Sequence, residues 1–299
     1  MKHSRREFMQ AGAAAMVCGS TFLESTMAFG KEFKLPLGLQ LYSVRDLLPK
    51  DYAGTLKQLG GLGFREVESA GYYNHSAAEV KTALSDAGLK IVSAHYASGA
   101  LHEKFDEIVG FSKELGVSYI ICSSPGHAPT SKQTGWEDMS LDDWRWNADE
   151  FNKMGEKVHA AGLKFGYHNH KLEFKETGGV VPWEELVRLT DPAKVAFEMD
   201  CGWVIAGGSD PVAMLKKHGE RVAMLHVKDF KLPAGQPIPK EPAPVELGTG
   251  SIDYRPIFAE AAKSADIVHC FVEQEAFTVP PMDSLKIDAD YMKKIGAVA

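Results

Sequence analysis

Cysteine is scarce in this chain: 299 residues hold four, Cys18, Cys122, Cys201 and Cys270, and none is spaced as a C-x-x-C pair. A paired-thiol site is therefore not expected. The last three are odd in number and sit in or beside apolar, strand-like runs, so buried free thiols are expected. No apolar run reaches the roughly 20 residues that a spanning helix needs. No GxGxxG follows the first strand-like segment, which argues against a dinucleotide-binding open sheet; Gly248-Thr249-Gly250 comes too late and is too short. Basic charge is also in deficit, with 33 Lys and Arg against 40 Asp and Glu and a formal net charge of −7. Such a balance gives no general attraction to nucleic acid or to an anionic membrane.

The first thirty residues carry a different signal. Ser4-Arg5-Arg6-Glu7-Phe8-Met9 is a twin-arginine pattern, followed by a small-residue apolar stretch at 11–23 and by Ser25-Thr26-Met27-Ala28. A basic start, a short apolar region and a small-residue cleavage zone describe a signal peptide. Residues 1–30 are thus expected to direct export by the twin-arginine route to the periplasm or the exterior. After cleavage no membrane partner is expected, and the formal charge becomes about −8. Residues 31–299 remain, close to the ~250 typical of a single (β/α)₈ barrel.

Across 31–299, short β-branched or aromatic runs alternate with longer segments of helical period, the mark of βαβ units and a parallel sheet. Strands are predicted at 37–42, 65–68, 90–95, 119–122, 164–168, 195–200, 222–227 and 267–273. Helices are predicted between them at 51–62, 76–87, 103–115, 142–161, 182–189, 211–217 and 254–262, with a last one at 283–295. Gly88, Gly116 and Gly162 stand where a left-handed C-cap precedes the next strand. Helix-to-strand turns are therefore short, whereas the strand-to-helix segments 123–141 and 230–254 are long. One elaborated face is what a (β/α)₈ barrel, a TIM barrel, needs for a site at the C-terminal ends of its strands.

Polar residues interrupt the strands at those ends. In a parallel barrel alternate side chains face inward. The last inward positions are His168 and His170, then Glu198 and Asp200, then His226 and Lys228, then Glu273 and Glu275. Four consecutive strands ending in imidazole or carboxylate would be costly without a cation. A set of His and carboxylate without thiolate suits one divalent ion, Mn, Zn, Co, Fe or Mg, in a site left open to substrate. Glu68 and His95 end the second and third strands at the same mouth. His95 is a candidate for substrate hydrogen bonding or acid/base work, with a structural role open. Glu68 is a candidate substrate contact, with a structural or ligand-supporting role favoured. Lys228 could stabilise an oxyanion or lie along the rim. Glu173 could bring a loop carboxylate to the site or remain solvated. Trp136, Trp144 and Trp146, in or near the loop after strand four, could stack on a sugar ring or pack helices.

Phe197-Glu198-Met199-Asp200, Leu225-His226-Val227-Lys228-Asp229 and Phe271-Val272-Glu273 resemble the strand endings of the xylose isomerase-like barrels. That sugar phosphate isomerase/epimerase group includes inosose dehydratases and ketose 3-epimerases. The resemblance extends to Leu39-Gln40-Leu41-Tyr42-Ser43 and to 247–253. It implies Asp200, His226 and Glu273 as metal ligands, with the fourth at His168, where sugar epimerases usually carry Glu. Trp203 stands where many relatives place a substrate-contacting His.

The resemblance implies proton abstraction next to a carbonyl. Glu273, Glu173, His95 and Lys228 are the candidates for catalysis, and His170, Glu68, Trp136 and Glu275 for holding a small sugar substrate. The expected activity is a metal-dependent sugar isomerase or epimerase. The alternative is a lyase or dehydratase acting on keto-sugars or 3-keto-glycosides, since His168 removes a carboxylate. A non-catalytic sugar-binding barrel and a DNA endonuclease rank lower, the latter opposed by the acidic charge. A homo-oligomer stays open.

Overall fold

The computed structural model describes residues 32–235 and 237–299. The expected signal peptide lies outside them. Ten strands occur among the described residues: β1 (Gly38–Gln40), β2 (Glu66–Ser69), β3 (Lys90–Ala97), β4 (Tyr119–Ser124), β5 (Lys164–His168), β6 (Ala196–Asp200), β7 (Val222–Val227), β8 (Asp229–Lys231), β9 (Ala243–Val245) and β10 (His269–Val272). Eight of them close a parallel barrel in the order β1-β10-β7-β6-β5-β4-β3-β2, as expected from the sequence. The seam is β1 against β10, where Gly38 pairs with Phe271 and Leu39 with Val272. No described helix is long and apolar enough to cross a membrane.

Helices follow the strands because their ends are chemically marked. Ser76 caps Ala77–Ala87 in a reciprocal box with Glu79, and Ser140 caps Leu141–Ala160 with Asp143. Gly88 and Gly116 close helices at positive φ, as the punctuation predicts. The long apolar faces of these helices pack on the outward residues of the strands, while a smaller cluster of Val92, Tyr119, Ile121, Met224 and Phe271 is buried separately from that layer. Along β7 and β10 the two-residue period carries this second cluster into the site, Met224 being followed by His226 and Phe271 by Glu273.

Three predicted elements are corrected. The first strand stops at Gln40 because its side chain accepts from Tyr42 N at 3.0 Å and turns 41–44 into a 3-10 helix. The helix predicted at 103–115 runs Phe105–Leu115, and a short helix that was not predicted, Ser98–Glu103, precedes it and is separated from it at Lys104 (φ −127°, ψ 28°). The segment 230–254 is not all loop. It contains the antiparallel pair β8 and β9, gathered by Asp229, whose carboxylate accepts from the backbone N–H groups of Phe230, Gly248, Gly250, Ser251 and Ile252.

Candidate metal centre at the barrel mouth

Asp200, at the end of β6, is wholly buried and does two jobs. Its Oδ1 accepts from Trp203 N at 2.8 Å, which starts the short helix Cys201–Ala206, an element with no clear sequence signal. Its Oδ2 is buried and outside any hydrogen bond, ion-paired with the Lys228 ammonium at 3.0 Å. Asn169 fixes the strand end, accepting from Asp200 N at 3.0 Å and donating to Asp200 O at 3.3 Å.

Ligating atoms of His168, Asp200, His226 and Glu273 all lie within 4.8 Å of one another, and all four residues are buried. The four implied by the resemblance are thus brought together. Lys228 is not a rim lysine. It is 1% exposed, its backbone is held on both sides by the Tyr254 hydroxyl, and its ammonium lies 2.7 Å from Glu273 Oε2 and against Glu275. Burial opposes its charge, but Asp200, Glu273 and Glu275 outweigh burial and hold the ammonium well above its ordinary pKa.

A second layer lies beneath. Glu198, two residues before Asp200 on the same face of β6, approaches His95 Nε2 (2.6 Å), His168 Nδ1 (3.1 Å) and His226 Nε2 (3.3 Å) through one oxygen, Oε2. Glu68 Oε1 lies 2.8 Å from both His95 Nε2 and His226 Nε2 and accepts from Gln40 Nε2 at 2.6 Å. His95, His168, Glu198 and His226 also satisfy the geometric requirement for a metal group. Their contacts are those of hydrogen bonds, however, so this layer is read as support. Glu68 belongs to it, below the substrate side expected for it.

Electrostatics separates the imidazoles. Burial disfavours charge on His95, but Glu68 and Glu198 lift its pKa to about 9; the same kind of contest takes His226 well above its ordinary value. His168 goes the other way, because burial and the charge of His226 both keep it neutral. Burial raises Asp200 despite Lys228 beside it. Five carboxylates, Glu68, Glu198, Asp200, Glu273 and Glu275, thus face three cations, Lys228, His95 and His226. The excess of negative charge, an Asp200 Oδ2 that accepts no hydrogen bond and the mixed donor set fit a divalent cation at His168, Asp200, His226 and Glu273.

Other expected site residues fall elsewhere. Glu173 joins neither metal-capable group; it is buried, and its Oε1 accepts from Tyr167 OH at 2.5 Å and from His170 N at 3.0 Å, so it is not a solvated loop residue. Burial raises its pKa. His170 stands between the rings of His168 (5.0 Å) and Trp203 (6.1 Å). Glu275 is partly exposed and pairs with Lys228. Trp144 is 1% exposed and belongs to the main core, which removes it as a sugar-stacking surface. The side chain of Trp136 lies outside the described residues. Gln40, noted only as part of the first-strand motif, and Tyr254 anchor Glu68 and Lys228 without having been singled out as site residues, and neither belongs to a residue type that marks a metal site.

A model of the xylose isomerase-like TIM barrel family matches residues 56–295. The chain belongs to that family. Within the range of relatives, inosose dehydratase of Clostridium beijerinckii is 26% identical over 218 residues, 66% of this chain and 72% of that protein. Inosose dehydratase of Geobacillus thermodenitrificans is 26% identical over 287 residues, 85% of this chain and 94% of that protein. A solved sugar phosphate isomerase/epimerase from Parabacteroides distasonis superposes with a TM-score of 0.72 at 27% identity, covering 89% of this chain and all of that one.

Proposed function

We propose that this protein is a divalent-metal-dependent lyase that removes water, or another β-leaving group, from a keto-sugar. The observation that carries the reading is His168 at the end of β5, an imidazole kept neutral and tied through Nδ1 to Glu198. Epimerisation at one carbon needs proton-transfer groups on both of its faces, whereas elimination can run from one face. Glu273, just past the end of β10, supplies that face. Its carboxylate takes the proton from the carbon next to the carbonyl. That electron pair forms the C=C bond, the C–O bond at the β carbon breaks, and the same carboxyl gives its proton to the departing hydroxyl as water. Lys228, held charged, donates to the oxygen on which negative charge accumulates. A divalent ion held by His168, Asp200, His226 and Glu273 would supply Lewis-acid polarisation of the carbonyl.

The dehydratase names of the relatives favour this over the isomerase expected first. The isomerase/epimerase name of the solved neighbour supports a second reading that shares the first proton abstraction. Export by the twin-arginine route is part of the proposal, resting on residues 4–28. The test is incubation of metal-loaded protein with an inosose or a 3-keto-glycoside in D₂O, read by NMR and mass spectrometry. Loss of water or of the aglycone with an enone product is expected, and Asp200→Ala or His226→Ala should abolish it. A deuterated isomer of otherwise unchanged formula would return the assignment to an isomerase.

A further inference from the structure

Glu198 has no place in the chemistry above, yet it is fully buried one layer below the ligands and touches three imidazoles. We infer that Glu198 is a positioning residue, which together with Glu68 fixes the tautomers of His168 and His226 so that their lone pairs face the metal centre. The inference rests on the metal-centre reading above.

The argument is one of donors and acceptors. A carboxylate oxygen only accepts, and a neutral imidazole has one N–H and one lone pair. His168 Nδ1 lies 3.1 Å from Glu198 Oε2, so the proton of the neutral ring is on Nδ1 and Nε2 is left as the lone-pair donor. His226 Nε2 lies 2.8 Å from Glu68 Oε1 and 3.3 Å from Glu198 Oε2, so this charged ring would give up the proton on Nδ1 in favour of an ion and keep the one on Nε2. The other nitrogen, Nδ1, lies 3.3 Å from Glu273 Oε2, on the side of the carboxylate ligands. The two rings therefore use opposite nitrogens, and each choice is dictated by a carboxylate beneath it. Such outer carboxylates orient ligating imidazoles and raise their basicity. His95 completes the arrangement: its Nε2 lies between Glu68 Oε1 (2.8 Å) and Glu198 Oε2 (2.6 Å), so a single N–H bridges the two carboxylates and holds them in register. Gln40 adds a further donor to Glu68 from β1. Glu198 Oε1 is buried with no hydrogen-bond partner, so all of its hydrogen bonding is committed to the rings.

Glu198→Gln tests this because it keeps the shape and removes the obligate acceptor. An amide group can present its NH₂ to His168 Nδ1, which moves the proton to Nε2 and blocks the ligating lone pair. Affinity of the purified full chain for Zn²⁺ and Mn²⁺ would be measured by chelator competition, with the melting temperature of the metal-free protein recorded alongside. Glu198→Gln should weaken binding roughly ten- to hundred-fold while the metal-free melting temperature moves little. Glu198→Asp, which restores a carboxylate, should recover part of the affinity. Parent-like affinity in Glu198→Gln, beside an Asp200→Asn variant that loses the ion, would overturn the positioning role alone. Weakened binding that merely tracks a fall in metal-free stability would also overturn it. A parent protein that binds neither ion would overturn this inference and the metal-centre reading together.

Discussion

Lys228 concentrates the electrostatics of the mouth in one side chain. Its ammonium faces Asp200 (3.0 Å), Glu273 (2.7 Å) and Glu275 from a position 1% exposed. Removing one partner of a buried ion pair costs roughly 3–5 kcal/mol, because the partners are left uncompensated. Lys228→Met should therefore lower the melting temperature of the metal-free protein, and added divalent ion should restore more of it than it adds to the parent. Turnover should fall about 10²-fold or more if the ammonium also serves the developing oxyanion. Calorimetry with and without metal, beside the rate, checks both; equal metal-induced shifts in variant and parent would contradict the charge balance at the mouth. The sequence made this site legible to the extent that strand-end alternation could: His168, Asp200, His226 and Glu273 stand at the last inward positions of neighbouring strands. It could not show that Glu173 folds under Tyr167 and the His170 amide, or that Lys228 is buried. Those outcomes depend on loop paths and on Tyr254, which no strand period encodes.

At the scale of elements, the barrel depends on close contact at its seam. A Cβ added to Gly38 would lie 2.4 Å from Cys270 O and 2.7 Å from Phe271 Cδ1, so β1 and β10 approach each other only because residue 38 has no side chain. The neighbour is backbone and cannot swing away. Gly38→Ala should destabilise the protein by about 1–3 kcal/mol, the usual cost of overpacking. It should also loosen the site, because β10 leads into Glu273 and β1 presents Gln40 to Glu68. Urea denaturation would give the stability change, and metal affinity the displacement of the site; an unaltered midpoint would contradict the seam contact. Periodicity and glycine punctuation disclosed all eight barrel strands, whose pairing is then forced by closure. The β8–β9 pair and the helix Cys201–Ala206 were missed for a common reason. Each is only a few residues long, and each is organised by one acidic side chain rather than by an apolar repeat, Asp229 collecting five backbone N–H groups and Asp200 capping the helix through Trp203 N alone.

On the scale of the whole molecule, the last helix, Pro281–Lys294, is docked through a buried acid. Asp288 Oδ1 accepts from Leu247 N at 2.7 Å, whereas its Oδ2 is buried without a partner. Burial lifts its pKa from the ordinary 3.8 to about 7, and the carboxylates of Glu246 and Asp229 add to the rise against the Leu247 hydrogen bond. A carboxyl whose pKa is raised by folding binds its proton more tightly in the folded state. The unfolded chain therefore holds fewer protons between about pH 4 and 7, and stability from this group falls as pH rises through that window. The largest loss, above about pH 7, is at most ~4 kcal/mol. Asp288→Asn keeps the acceptor for Leu247 N and cannot ionise. It places an amide donor where Oδ2 had no partner, a cost that is the same at every pH. The difference in melting temperature, variant minus parent, should thus climb between pH 5 and pH 8 whatever its starting sign. A difference that stays flat across that range would mean that Asp288 is ionised in the folded protein throughout, and that the helix is docked by a charge rather than by a protonated acid.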